Sequence, residues 1–378
     1  MSMLQLIVQV IIINHTCRTN PFSCLRELED FRQQLRSAFV RRGVFRVRVH
    51  RSNVFDELLA VYSTNPSITG LEPRVKFMDE QGIDGGGLTR EVISCFWHMF
   101  RERLMEGEEE KVPILSPKYD SKYYQMGQIL SHGFLLTGFF PLCFNQPFTI
   151  TLLSNDNTSG VTDDMLLQSF LKYIDKFESD TLKRCLDGDE SNINEVVVPM
   201  LSRFNCVTRP TINNFRELIL KVARHALVNQ PYFVLCEIKR GMMDSHPELW
   251  QRFTPKLTHD LMLSLKPDPQ RVWGMIVEQA FRDSREQSTF DFLRRLIFQL
   301  DTNTLEKFLQ FVTGHPLCGL QMIQVDFNSE GSSFIRRPTA NTCAMILHLP
   351  STYTHFSSFK QDFLGILTNQ VLWAFDSV

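Results

Sequence analysis

Apolar residues recur at helical spacing between positions 24 and 39, at Leu25, Leu28, Phe31, Leu35 and Phe39, which predicts an amphipathic helix. Val44, Val47 and Val49 then interleave with Arg41, Arg42, Arg46, Arg48 and Arg51, the two-residue period of a strand with a solvated basic face. Residues 55–62 read as a helix closed by Asn65-Pro66, and Arg74-Val75-Lys76-Phe77 as a short strand running into Asp79-Glu80-Gln81-Gly82-Ile83-Asp84-Gly85-Gly86-Gly87. From Thr89, the positions Val92, Ile93, Phe96, Trp97 and Phe100 fall on one side of a helix, so the glycines form a strand-to-helix turn. A phosphate cradle would need Gly-Lys-Ser/Thr or G-x-G-x-x-G. Neither is there, and the first helical turn carries Glu91 where a cation would be wanted.

Residues 101–111 are charged and solvated, whereas residues 123–148 are aromatic and apolar, with Gly127, Gly133 and Gly138 allowing close helix packing. Helices are predicted at 163–177, 215–225 and 231–243, with a polar connection at 187–194. Lys266-Pro267-Asp268-Pro269 forbids a continuous helix and marks a candidate hinge. Beyond it, helices are predicted at 273–281, 289–300 and 304–312, the last ended by Gly314, and an apolar strand at 343–349. At the start of the chain, residues 3–13 are apolar and β-branched but interrupted by Gln5 and Gln9. They predict a buried strand, being far shorter than the ~20 residues of a membrane span. The sequons at Asn14 and Asn157 carry no meaning without secretion.

A chain of 378 residues holds two or three compact units, and 43% hydrophobic residues with 31 Phe exclude disorder as its main state. Lys plus Arg number 40 against 42 Asp plus Glu, a net charge of −2, so no general field draws the molecule to nucleic acid or a membrane surface. Nine Cys without a C-x-x-C pair form neither a disulfide framework nor a zinc cluster. Free thiols in a reducing compartment, cytoplasmic and/or nuclear, are the expectation. Cys95, Cys143, Cys206, Cys236 and Cys318 are expected to be buried, inert core thiols. A Cys-His hydrolase would need His and Asn or Asp to converge on a Cys, and no such signature is visible.

One cysteine differs in its surroundings. Phe308-Leu309-Gln310-Phe311-Val312-Thr313-Gly314 is followed by Arg337-Pro338-Thr339-Ala340-Asn341-Thr342-Cys343 and the apolar strand. This resembles the C-terminal lobe of a HECT-type ubiquitin-protein ligase, whose catalytic Cys follows a Pro-x-Ala-x-Thr motif in a loop near the C-terminus. The family also favours a Phe close to the chain end, where Phe375 stands. Val75-Lys76-Phe77 with Gly82 to Glu91, and Tyr124-Gln125-Met126-Gly127-Gln128-Ile129-Leu130, are similar to the family's N-terminal lobe. The chain departs from the family where Arg337 replaces the usual Leu, where Phe292-Leu293-Arg294-Arg295 lacks a Trp, and at 212–227, helical where a strand-rich segment is usual. These departures resemble the divergent group that includes the G-two/M-phase-specific HECT ligase.

The resemblance implies an α+β, bilobal fold: an N-terminal extension over 1–37, a larger, mostly helical N-lobe over 38–266, and a smaller α/β C-lobe over 267–378. It implies a transferase that accepts ubiquitin from a ubiquitin-conjugating enzyme as a thioester on Cys343 and passes it to a lysine of a protein substrate. Thr342, Asn341 and Phe375 would support Cys343, with no metal or cofactor and no nucleic-acid or membrane partner. Thiolate suits this chemistry as both nucleophile and leaving group. Five residues along the strand, His348 is expected to face away from Cys343 and to be structural. The rival reading is an inactive HECT-like module that binds ubiquitin or a conjugating enzyme.

Overall fold

The computed structural model describes residues 21–40, 43–65, 67–78, 87–154, 160–189, 191–211, 213–277, 280–319, 321–328 and 337–369. The expected strand at 3–13, both sequons, most of the glycine-rich turn and Phe375 lie outside them.

In chain order the elements are α1 (Pro21–Val40), β1 (Val44–Val49), α2 (Val54–Thr64), β2 (Glu72–Phe77), α3 (Gly87–Leu104), β3 (Met105–Glu106) and β4 (Val112–Pro113). They continue with α4 (Tyr123–Thr137), α5 (Gln146–Leu153), α6 (Asp163–Tyr173), α7 (Lys176–Leu186), α8 (Val198–Arg203), α9 (Phe215–Arg224), α10 (Tyr232–Ser245), α11 (Pro247–Trp250) and α12 (Pro255–Leu265). The last stretch holds α13 (Pro269–Gly274), α14 (Ser284–Ile297), α15 (Thr302–Thr313), β5 (Gln324–Asn328), β6 (Thr339–Asn341), β7 (Ile346–Pro350) and α16 (Phe356–Thr368). The fold is α+β, with many helices and small sheets. None of the described helices is long and apolar enough to cross a membrane.

The chain forms two compact units that interleave in sequence: one from the described parts of 1–35, 100–132 and 141–263, the other from those of 36–99, 133–140 and 264–378. The first unit is helical around Phe170, Leu182, Leu201, Ile219 and Leu227. Here α4 and α10 touch backbone to backbone: a Cβ on Gly127 would lie 2.0 Å from the Ile238 carbonyl oxygen, and one on Gly241 2.0 Å from that of Tyr124. Buried Ser131 accepts from Trp250 Nε1 at 2.7 Å and pairs with His246 Nδ1 at 2.8 Å, which satisfies polar groups that burial would otherwise penalise. The helix expected at 163–177 is two helices. Asp175 breaks it, its carboxylate accepting from the Glu178 amide at 3.0 Å and capping α7. The segment at 215–225 is helical as read, and a π-helical turn prolongs it to Asn229.

In the second unit β1 and β2 pair in parallel, with Arg46 opposite Arg74, Val47 opposite Val75, Arg48 opposite Lys76 and Val49 opposite Phe77. The apolar members are buried and the cations exposed, as the alternation requires. Arg51 stacks on the Phe77 ring and ion-pairs with Glu91 at 2.6 Å, which accounts for the acid at the start of α3. A second sheet has the order β5-β7-β6, with β5 parallel and β6 antiparallel to β7. Against it pack α14, α15 and α16 through Phe290, Leu293, Phe308, Val312, Phe359 and Phe363. Asp301 accepts from the Thr304 amide at 2.7 Å to start α15, and Gly314, at φ 75°, ends it in the left-handed conformation glycine favours.

Two expectations here are corrected. The helix read at 273–281 ends at Gly274, because Ile276 and Val277 pair with Ile323 in a β-bridge. Their β-branched side chains suit that conformation. The strand read at 343–349 begins at Ile346, because residues 342–345 form a turn. Pro269 does interrupt the helical run: α13 starts on it, capped by the Asp268 carboxylate.

Candidate active site

β6 and β7 form a hairpin in which Asn341 pairs with Ile346, so residues 342–345 must reverse the chain. The Asn341 Oδ1 accepts from the Ala344 amide at 3.0 Å, closing the turn from inside, and Met345 takes φ 54° to bring the chain back into register. Cys343 sits at the tip of this turn as a free, half-buried thiol, with Thr342 buried beside it.

The turn is seated on α3. A Cβ built on Gly87 would lie 2.5 Å from Thr342 Oγ1, 2.9 Å from Cys343 Sγ and 3.0 Å from the Cys343 amide nitrogen. Only glycine lets α3 begin at this contact without a displacement. One turn on, the buried guanidinium of Arg90 donates from Nε to the Thr313 carbonyl at 2.7 Å and from Nη2 to the Thr342 carbonyl. His315 lies on the same loop as Gly314, its ring edge-on to Phe139 at 4.4 Å. Burial is the main cause that pushes its pKa down to about 3, with the Arg90 charge adding to the effect. The ring is therefore neutral at physiological pH. Its Nδ1 meets the Leu317 backbone, and its buried Nε2 has no hydrogen-bond partner among the described residues.

His348 Nδ1 lies 3.3 Å from Asp326 Oδ2, its cross-strand neighbour on β5. Since Cys343 is in the turn, the two do not share a strand, and the opposite-face argument is replaced by this pairing. Of the five cysteines expected to be buried and inert, Cys318 is buried, its thiol pushed up to about 11 by desolvation. Cys95, Cys143, Cys206 and Cys236 are only half-buried, and the Cys143 thiol is pushed up to about 12, again by desolvation. Cys24 is disulfide-bonded, so the free-thiol expectation fails there. A count of nine with no close pair argues against a framework, but it does not detect one isolated bridge. Among the described residues no three His, Cys, Asp or Glu side chains gather to hold a metal ion.

A family model described as HECT-domain (ubiquitin-transferase) matches residues 87–370, three quarters of the chain. The chain belongs to the HECT family. The HECT match begins at Gly87, the residue against which Cys343 rests, and it takes in Arg90, Asn341, Thr342 and Cys343. Comparison with curated proteins finds no match. The HECT motifs read from the sequence contain Gly87 and Arg90, yet nothing in the sequence assigns them a contact. Their partners stand more than 220 positions away, and two of Arg90's are backbone carbonyls.

Proposed function

We propose that this HECT chain is an active ubiquitin-protein transferase working through a thioester on Cys343. The observation that carries the reading is a free thiol at the tip of a turn, flanked by Asn341 and Thr342, inside the family match. Ubiquitin arrives already activated, as a thioester on a conjugating enzyme. The Cys343 thiolate attacks the carbonyl carbon, forming a new S–C bond as the donor's S–C bond breaks and its thiolate leaves. A neutral lysine amine of the protein substrate then attacks the Cys343 thioester, giving an isopeptide, and the amine's proton passes to solvent as the Cys343 thiolate is released. Each exchange trades one thioester for another or for a more stable amide, so no cofactor is required.

Asn341 and Thr342 support this step by holding the turn and by lining the thiol, and Phe375 supports it from the end of the chain. The lobes of the reading are 38–266 and 267–378, with residues 267–269 as the joint. A joint would let one sulfur meet first the donor and then the acceptor, and the contacts of Gly87 and Arg90 with the Cys343 turn belong to one of those arrangements.

The test is a single-turnover transfer from a panel of ubiquitin-charged conjugating enzymes, resolved without reductant beside Cys343→Ala. A thiol-sensitive adduct with at least one donor, lost in the variant, is the expected result. A folded chain that binds ubiquitin or a conjugating enzyme but forms no adduct would instead be a binding module.

A further inference from the structure

A thioester exchange requires the sulfur to be aimed at an incoming carbonyl, and a misplacement of about 1 Å can cost on the order of a hundredfold in rate. The hairpin itself supplies only part of that aim. Inside the turn, the Asn341 side chain fixes the amide of Ala344, which follows Cys343, and Met345 holds a left-handed conformation. The peptide that leads into Cys343 is held from elsewhere. Its carbonyl, on Thr342, receives Nη2 of Arg90, and the same guanidinium spends Nε on the carbonyl of Thr313, the last residue of α15.

This arrangement is selective. The last carbonyls of a helix have no partner within it, and a cation placed there also meets the favourable end of the helix dipole. A planar guanidinium offers donors at fixed angles, so it can span two carbonyls from two segments, whereas an ammonium is a point charge on a flexible stem. Arg90 is 9% exposed, and the neighbouring His315 ring is held neutral by burial, so it places no second positive charge beside the guanidinium. Gly87, three residues earlier on α3, closes the other side of the seat at Cys343 Sγ.

We propose that Arg90 is a positioning residue for ubiquitin transfer: by tying the Thr342 carbonyl to the end of α15 it sets the orientation of the Cys343 peptide and hence the direction in which Sγ points. The proposal rests on the thioester reading of Cys343. It requires Arg90 to act on the rate of the exchange and not on the capture of the donor.

The experiment uses the full chain as wild type, Arg90→Ala and Arg90→Lys. The rate of ubiquitin loading on Cys343 is followed against concentration of the charged conjugating enzyme, and hydrogen exchange is followed at the amides of 341–346 and, separately, within α14 and α15. The expected result for Arg90→Ala is a limiting rate at least tenfold lower at an unchanged half-saturating donor concentration. Exchange should be faster in the turn and unchanged in α14 and in the body of α15, and Arg90→Lys should recover part of the rate. A limiting rate equal to or above wild type would overturn the proposal, as would a loss confined to the half-saturating concentration. If the wild-type chain itself forms no adduct on Cys343, the thioester reading fails. The role of Arg90 in transfer then falls with it, an outcome distinct from a wild type that loads while Arg90→Ala loads equally fast, which overturns the positioning claim alone.

Discussion

Gly87→Ala places a methyl group where the structure has no room for one, and its effect can be worked out. The new Cβ would stand 2.9 Å from Cys343 Sγ and 3.0 Å from the Cys343 amide nitrogen, with Thr342 Oγ1 nearer still at 2.5 Å. The hydroxyl can rotate away, but the amide nitrogen belongs to the backbone of the turn. Relief to ordinary contact therefore moves the nucleophile by about half an ångström. With about a hundredfold lost per ångström of misplacement, that shift predicts roughly a tenfold slower transfer, about 1.4 kcal/mol of activation free energy. Stability should fall by no more than about 2 kcal/mol. Alanine gains up to about 1 kcal/mol of helix propensity, which offsets overpacking of about 1–3 kcal/mol at a site where two of the three obstacles are side-chain tips. The assay is the initial rate of Cys343 loading beside a thermal melt. Gly365→Ala serves as the control, because no atom of the described residues lies within 4 Å of its Cβ on α16. The control should transfer at the wild-type rate and gain about 0.5–1 kcal/mol of stability. Gly87→Ala loading at the wild-type rate would refute the reasoning, since the seat on α3 would then place no constraint on the sulfur.

Gly241→Ala drives a methyl group to 2.0 Å from a main-chain oxygen that cannot rotate away. It should cost at least about 3 kcal/mol and lower the melting temperature by roughly 4 °C or more. A fall of less than 2 °C would contradict the close approach of α4 and α10. His315 is held neutral at a pKa of about 3 when folded, while the unfolded ring takes up a proton near 6.5, so the unfolded state binds more protons as pH falls between these values and stability is lost over that window. Between pH 8 and pH 5 the loss from this ring is about 2 kcal/mol. In denaturant titrations, His315→Gln should lose that much less than wild type over the same range, and parallel curves would show that the ring is not buried neutral. In a timed alkylation at pH 8 read by peptide mass, Cys343 should label before Cys318 and Cys143, whose thiols are pushed up to about 11 and 12. Early labelling of Cys318 would show that its helices open readily.

What the sequence revealed was what is local. The stripe of Leu305, Phe308, Leu309 and Val312 announced α15, and Gly314 announced its end, because amphipathic spacing and a left-handed cap are written within one segment. The alternation likewise foretold the burial of Val47 and Val49 on β1, but Val44, read with them, is 55% exposed, because it stands three positions before Val47, on the opposite face of the strand. Misreadings came where a side chain bonds its own backbone. Asp175 splits a run that looked continuous, and Asn341 turns the chain where apolar residues suggested a longer strand. The helix read past Gly274 failed for a different reason, since Ile276 pairs with a residue 47 positions on. In the candidate site, Cys343, Thr342 and Asn341 were legible through a motif. Arg90 was not: its bonds run to main-chain carbonyls, which carry no residue identity, 223 and 252 positions away.

The central claim is that Cys343 carries ubiquitin covalently, and replacing its sulfur by oxygen tests it most directly. Cys343→Ser, offered a charged conjugating enzyme, should accumulate an oxyester adduct, because the alkoxide is a poorer leaving group than the thiolate. Intact mass should show one added ubiquitin on the serine variant, stable to thiol and cleaved by hydroxide, and a thiol-labile adduct on the wild type. A thiol-labile adduct that persists unchanged in Cys343→Ser would place the chemistry on another cysteine and contradict the account.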